Sequence, residues 1–402
     1  MLPLLVAFLL ILDLARSFSP SSPFPVSVER GVFPRQVHHH PHLVRPSAAT
    51  SFQMQLGANA MQWGPAVKEL QGKVCVVTGA STGIGKGIAI ALGEQGATVY
   101  ITGRSLERLQ ATAAEIEKRG GKPVPVQVDH AHQAEIVAFF AKIKDEEGKI
   151  DVLVNNCYAA VEGILGNKTR GLKFWERDLS WFDTVNNVGL KAHFTASQLA
   201  VPLMLPHSTK SKPGLIVHVS SAGGLTYLFD VAYGVGKAAL DRMAKDMAVE
   251  LTEGNVAVVS LWPQGAVKTE KVETIVLDDP AVKTTKIQDI GKDMLSMDKL
   301  TTSPAFMKAF EKGESPIFVG RAVASLARMT GGSSAMDYSG KVLFTADLAD
   351  RFGFKQEDGS QPKSWLSLSR LLDEASPGLG TLVPREIKFP VQLLDLVGSR
   401  FG

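Results

Sequence analysis

Cysteine is almost missing from this chain: 402 residues contain only Cys75 and Cys157. That excludes a disulfide scaffold, and both residues sit in apolar strand-like stretches that read as packed thiols. Net charge is also nearly absent, with 43 basic against 40 acidic side chains. The excess lies in the first 68 residues, where Arg16, Arg30, Arg35, Arg45 and Lys68 face only Asp13 and Glu29. The remaining chain is neutral and lacks the basic footprint of a nucleic-acid-binding protein. The opening apolar run, Met1–Leu12, falls short of the roughly 20 residues a bilayer span needs. His38, His39, His40 and His42 form a run without neighbouring cysteine or acid, so no metal site is expected. What is present, 45% hydrophobic and 21% charged residues, is the composition of a globular protein.

The apolar run followed by Ala15-Arg16-Ser17 has the shape of a signal peptide over 1–17. Residues 18–68 are rich in Ser and Pro, contain Arg, and carry a single acid, Glu29, which is the character of a transit peptide. The two in tandem, with Phe18 at the junction, resemble the bipartite presequence of proteins entering plastids of secondary origin. The alternative is a secretory leader followed by a spacer, which would place the protein in the endoplasmic reticulum or secretory pathway.

From Gly72 onward, short apolar strands alternate with amphipathic helices. Strands are expected at Lys73–Val77, Thr98–Ile101, Pro123–Val128, Ile150–Val154, Leu215–Val219, Val256–Leu261 and Lys341–Phe344. Helical spacing runs through Ile84, Ile88 and Leu92, through Leu106, Leu109, Ala113 and Ile116, and over Ile136–Ile143. Further helices are expected near 183–204, 234–251 and 320–329. Such alternation implies βαβ units around a buried parallel sheet: a Rossmann-type doubly wound α/β domain over 69–350 with a C-terminal extension over 351–402. Residues 270–318 break the rhythm and carry Met294, Met297 and Met307, which suit either an apolar lid or an ordinary helical excursion.

The first strand runs into Thr78-Gly-Ala-Ser-Thr-Gly-Ile-Gly85. Gly79 permits a tight turn, Gly83 lets backbone approach a pyrophosphate, and Gly85 lets the helix pack against the sheet. The second strand ends in Gly103-Arg104 rather than in the carboxylate that binds a ribose 2′-hydroxyl. Arg104 can pair with a 2′-phosphate, so NADP(H) is favoured, with NAD(H) not excluded. Tyr233 and Lys237 are spaced i, i+4 and share one helix face, the arrangement in which an ammonium can lower a phenol's pKa for proton transfer.

Taken together, the glycine turn Thr78–Gly85, Asn155-Asn156-Cys157-Tyr158, Ser220-Ser221 and the Tyr233/Lys237 pair resemble the short-chain dehydrogenase/reductase family, over about residues 70–350. The resemblance is nearest to the dehydrogenase/reductase family member 1 type. It is carried there by Asn186-Asn187-Val-Gly-Leu190, Ser260-Leu-Trp-Pro263, Ser339-Gly-Lys-Val-Leu343, Asp347–Arg351 and Trp365–Leu368.

The resemblance implies that Tyr233 is the general acid/base and that Lys237 binds the nicotinamide ribose. A serine orients the carbonyl: the strand ending favours Ser221, whereas counting back from Tyr233 favours Ser220, and Ser221 is ranked slightly ahead. Cofactor contacts are implied for Gly79, Ser81, Thr82, Gly83, Ile84, Gly85, Arg104, Asp129 near the adenine, Asn155 on the adenosine side and Thr269 near the nicotinamide amide. Three positions depart from the family pattern. Gly189 stands where the family's helix asparagine supports the lysine, with Asn186 one turn earlier. Pro263-Gln-Gly265 carries an extra residue before the nicotinamide loop. Thr82 stands where NADP-preferring members often carry a basic residue.

The expected activity is NADP(H)-dependent carbonyl reduction or alcohol oxidation on a small molecule, bulky and apolar if the methionines bear on it. The alternative is a dinucleotide-binding protein without turnover. A homo-oligomer is implied by the resemblance. The apolar stretches at Leu366–Leu372 and Phe389–Val397 would either pack at a domain edge or touch a membrane surface.

Overall fold

The computed structural model describes residues 68–165, 172–265, 267–278, 313–329, 334–364, 366–375, 381, 383–385 and 387–388. All belong to one unit, Ala58–Gly402. Residues 1–67, on which the expected signal and transit segments and the histidine run fall, lie outside the described residues, as do Met294, Met297, Met307 and Phe389–Val397.

Seven short strands pair entirely in parallel. They are β1 (Val74–Val77), β2 (Thr98–Gly103), β3 (Lys122–Gln127), β4 (Val152–Asn155), β5 (Gly214–Val219), β6 (Val256–Trp262) and β7 (Val342–Phe344), in the order β3-β2-β1-β4-β5-β6-β7. This is the doubly wound Rossmann-type sheet that the alternation implied. Successive residues of β1 show why the central strands are apolar throughout: Cys75 and Val77 pack into one core, Val74 and Val76 into the other. β3 contains Pro123 and Pro125 and sits at the sheet edge, where a missing N–H costs no ladder bond.

One face is covered by α1 (Gly83–Glu94) and α2 (Leu106–Lys118), the other by α3 (Gln133–Glu147). A short helix, α4 (Val161–Leu165), follows β4. The helix expected over 183–204 is not continuous. It consists of α5 (Trp181–Asn186), a π turn over Asn187–Lys191, and α6 (Ala192–Met204). The interruption falls at Gly189, over the ring of Tyr158, a contact that no local periodicity reveals.

After β5 comes α7 (Val231–Glu250), capped by the Asp230 carboxylate, which accepts the Tyr233 N–H at 2.9 Å. Beyond β6 lie α8 (Glu270–Asp278), α9 (Pro316–Ala327), α10 (Thr345–Phe352) and α11 (Leu368–Ala375). α9 crosses α1 closely: a Cβ on Gly320 would stand 2.4 Å from the Gly87 carbonyl oxygen.

The extension beyond 350 is tied to this body. Gln356 Oε1 accepts the Ser315 N–H at 2.6 Å, and the Lys388 ammonium lies 2.8 Å from Asp347 and 3.1 Å from Asp350. Among the described residues no helix is long and apolar enough to cross a membrane, and no cluster could hold a metal ion.

Glu314 is wholly buried beneath the ends of β6 and β7. Its two carboxyl oxygens lie 2.6 and 2.7 Å from the Thr345 hydroxyl, and its backbone carbonyl accepts the Lys268 N–H at 2.9 Å. Burial pushes this carboxyl up to about 8, against the hydrogen bond from Thr345. The folded chain therefore keeps a proton that the unfolded chain releases near 4.5, so this contribution is full at low pH and is lost as pH rises toward about 8. Urea-unfolding midpoints should show wild type losing ground to Glu314→Gln as pH rises from about 5 to about 9; a pH-independent difference would contradict the assignment.

Candidate functional site

The site forms at the carboxyl ends of β1, β4 and β5, where the strand order reverses direction. Its frame is a lock between two strand ends. The Thr78 hydroxyl accepts the backbone N–H groups of Asn156 (3.0 Å) and Cys157 (3.1 Å). Asn156 Nδ2 in turn donates to the carbonyls of Thr78 and Gly79, both at 3.0 Å. The glycine turn is shaped on that lock. Gly79 has φ +67°, and a Cβ there would lie 2.7 Å from Cys157 Cα. Gly83 has φ +61°, and a Cβ on Gly85 would lie 2.3 Å from the Gly79 carbonyl oxygen. All three glycines are thus demanded by geometry.

An anion already rests on this turn. Glu270 Oε2 accepts the Gly83 N–H at 2.9 Å, at the N-terminus of α1, and Glu270 Oε1 lies 3.4 Å from the Lys86 ammonium. A carboxylate held there shows that the turn can bind a negatively charged oxygen, as a dinucleotide phosphate requires.

The other expected cofactor contacts divide. Ser81 packs on Gly103, where a Cβ would stand 3.1 Å from its side chain, and Arg104 beside them is exposed. Thr82 and Ile84 flank the turn half-buried, and the Thr269 methyl would lie 3.2 Å from a Cβ on Gly83. These groups share one rim. Asp129 follows β3, and its carboxylate accepts the Ala131 N–H at 2.9 Å. Asn155 faces away: it is fully buried, and its amide donates to the Ser197 hydroxyl at 2.9 Å, beside His218. The neighbouring Asn156, which the sequence did not single out, is the residue that grips the turn.

The second half of the site comes from β5 and α7. Ser221 Oγ lies 2.7 Å from Tyr233 Oη and accepts the Gly223 N–H at 3.2 Å. Ser220 points elsewhere, its hydroxyl donating to the Lys237 carbonyl at 3.2 Å, so of the two serines Ser221 is the one beside the phenol. The Lys237 ammonium donates to the Val219 carbonyl at 3.0 Å. Burial pushes the Tyr233 phenol up to about 12, against the hydrogen bond from Ser221, and pushes Lys237 down to about 8, against the pull of Asp241. The i, i+4 spacing suggested an ammonium lowering the phenol's pKa. In the folded chain burial is the largest influence on the phenol and raises it, with Asp230 and Asp241 acting in the same direction.

The walls are apolar: Ile164, Val185, Trp181, Phe229 and Tyr158 surround Tyr233. Phe229 adopts φ +66°, an uncommon conformation for a non-glycine residue, and meets Tyr233 edge-on at 5.1 Å. Asp230 anchors this wall as well as α7: Trp181 Nε1 donates to it at 3.2 Å, and the Arg177 guanidinium lies 3.4 Å away.

A model of the short chain dehydrogenase family matches residues 73–279, which is more than half of the chain. The chain belongs to the short-chain dehydrogenase family. Dehydrogenase/reductase SDR family member 1 of Mus musculus is 41% identical over 341 residues, covering 83% of this chain and all of the mouse protein. The Homo sapiens protein of the same name is also 41% identical, over 83% of this chain and 99% of its own length. Among solved structures, the Pseudomonas aeruginosa RhlG/NADP active-site complex superposes with a TM-score of 0.55 at 23% identity, covering 68% of this chain and 95% of that one, and shares the fold.

The extra residue that the sequence marked in Pro263-Gln-Gly265 finds its partner in this short-chain dehydrogenase: the buried Gln264 amide donates to Ser364 Oγ at 3.4 Å, so the extension reaches the loop before Thr269. Glu270 escaped the sequence reading, since no motif marks it. A phosphate on the Gly83 N–H must displace its carboxylate. Glu270→Gln should therefore tighten NADPH binding about two- to fivefold by titration calorimetry, the scale of an exposed charge contact. Weaker binding would mean that Glu270 supports the cofactor rather than competing with it.

Proposed function

We propose that this short-chain dehydrogenase is an NADP(H)-dependent oxidoreductase that reduces carbonyls or oxidises the corresponding alcohols. The carrying observation is the pairing of Ser221 and Tyr233 hydroxyls at 2.7 Å with Lys237 one helical turn behind. The bound nicotinamide would supply or accept the hydride at the carbonyl carbon. Ser221 would donate a hydrogen bond to the carbonyl oxygen and align it with Tyr233 Oη. As negative charge grows on that oxygen, Tyr233 would deliver its proton, and the charged Lys237 would stabilise the phenolate left behind. The hydride's electron pair forms the new C–H bond, and the carbonyl π pair takes up the proton.

NADP(H) is favoured because β2 ends in Gly103-Arg104, with no acid there to repel a 2′-phosphate. The apolar wall of Ile164, Trp181 and Phe229 suits a bulky, apolar carbonyl compound.

NADPH oxidation should be followed against a panel of ketones, aldehydes and quinones, with the protein lacking residues 1–68. Tyr233→Phe should lower turnover by about 10²- to 10⁴-fold while NADPH still binds. Carbonyl reduction in the wild type should fall as pH rises through about 8, where Lys237 loses its charge. NADPH binding with no turnover of any carbonyl would favour a non-catalytic dinucleotide-binding protein. Turnover unchanged in Tyr233→Phe would remove Tyr233 as the proton donor.

A further inference from the structure

We propose that Tyr158 is a positioning residue for Lys237: its ring is the seat on which the buried ammonium rests, and Gly189 in the π turn is the notch that admits the ring. This rests on the reading of Lys237 as the working cation of the site.

Three observations converge. The Lys237 ammonium lies 5.1 Å from the Tyr158 ring centroid and 5.7 Å from that of Tyr233, with its hydrogen bond going to the Val219 carbonyl. The two rings stand edge to face, 6.1 Å apart at 83°, so they form a corner around the cation. A Cβ on Gly189 would stand 2.8 and 2.9 Å from Tyr158 Cδ2 and Cε2, so any side chain there would push the ring off its place.

Among the described residues Lys237 makes no ion pair. The charged and titratable groups around it are Asp241 and Tyr233 on its own helix, Cys157 and Tyr158 after β4, and His193 on α6. Buried His193 and Cys157 offer it no negative charge: burial holds His193 well below its ordinary value and raises the Cys157 thiol. The Asp241 carboxylate and the Val219 carbonyl favour the charged ammonium, and the two aromatic faces add to them at the buried site. Asn186 does not serve. Its amide donates to the carbonyls of Phe182 and Ala232, both at 3.2 Å. The Tyr158 hydroxyl is buried without a partner, so the ring rather than the oxygen makes the contact.

The test is a 13C NMR titration of full-chain protein labelled at lysine Cε, with Lys237 assigned through Lys237→Arg. In Tyr158→Leu, which keeps the wall apolar but removes the π face, the Lys237 midpoint should fall by about one pH unit, a tenfold loss of proton affinity. Tyr158→Phe should restore the wild-type midpoint. Gly189→Ala should lower it in the same direction and add nothing to Tyr158→Leu. The pH profile of kcat should move with the midpoint. An unmoved midpoint in Tyr158→Leu and Gly189→Ala, or a shift in Tyr158→Phe, overturns the proposal. Should Tyr158→Leu fail to fold, Gly189→Ala and Tyr158→Phe still decide it. The titration reads Lys237 without turnover. A wild type inactive on every carbonyl overturns the reductase reading alone, and an active enzyme with unmoved midpoints overturns this proposal alone.

Discussion

Both halves of the site depend on the lock between the ends of β1 and β4. Thr78 accepts two hydrogen bonds from Asn156 and one from Cys157, and Asn156 donates a further one to Gly79, all four at 3.0–3.1 Å. One side of the lock shapes the glycine turn, which must approach a phosphate through bare backbone. The other side sets the path of Cys157 and Tyr158, and hence the ring beneath Lys237. The bonds are partly buried, so each broken partner leaves a polar group without water, a cost of about 1–3 kcal/mol. That asymmetry makes the strand ends rigid where the chemistry needs fixed positions.

Desolvation governs the second half. The site holds a lysine and a tyrosine whose charged forms are both disfavoured by burial, one pushed down to about 8 and the other up to about 12. A phenol that keeps its proton is suited to giving it up only when a negatively charged oxygen develops nearby. An ammonium poised near neutrality is sensitive to whatever faces it. Val219, Tyr158 and Tyr233 supply a carbonyl and two ring faces, and Gly189 supplies the room. Gly189 lies within the π turn, and any side chain there would collide with the Tyr158 ring.

Much of the fold was legible in the sequence because parallel strands buried on both faces read as short apolar runs, and β1 through β7 lie where those runs lie. The glycine turn and the Tyr233/Lys237 pair were legible for a similar reason: each is local, with its spacing set by one turn or one helix. What was not legible depends on contacts far apart in the chain. Asn155 and Asn156 are indistinguishable by type, and only strand pleat and the reach to Thr78 decide which grips the turn. Ser220 and Ser221 likewise differ only in the direction each faces as β5 ends. The need for glycine at 189 rests on Tyr158, which lies in a different segment of the chain. The extra Gln264 made no sense until Ser364 was brought beside it, and Glu270 carries no pattern because its partner is a backbone N–H.

The most direct measurement of the lock's importance is NADPH affinity in Asn156→Ala by titration calorimetry, alongside its unfolding free energy. Losing two hydrogen bonds to the turn carbonyls should weaken NADPH by about tenfold or more, beyond any loss of global stability at the working temperature. Wild-type affinity in a variant that is merely less stable would contradict the lock's role, and would leave the glycines alone responsible for the shape of the turn.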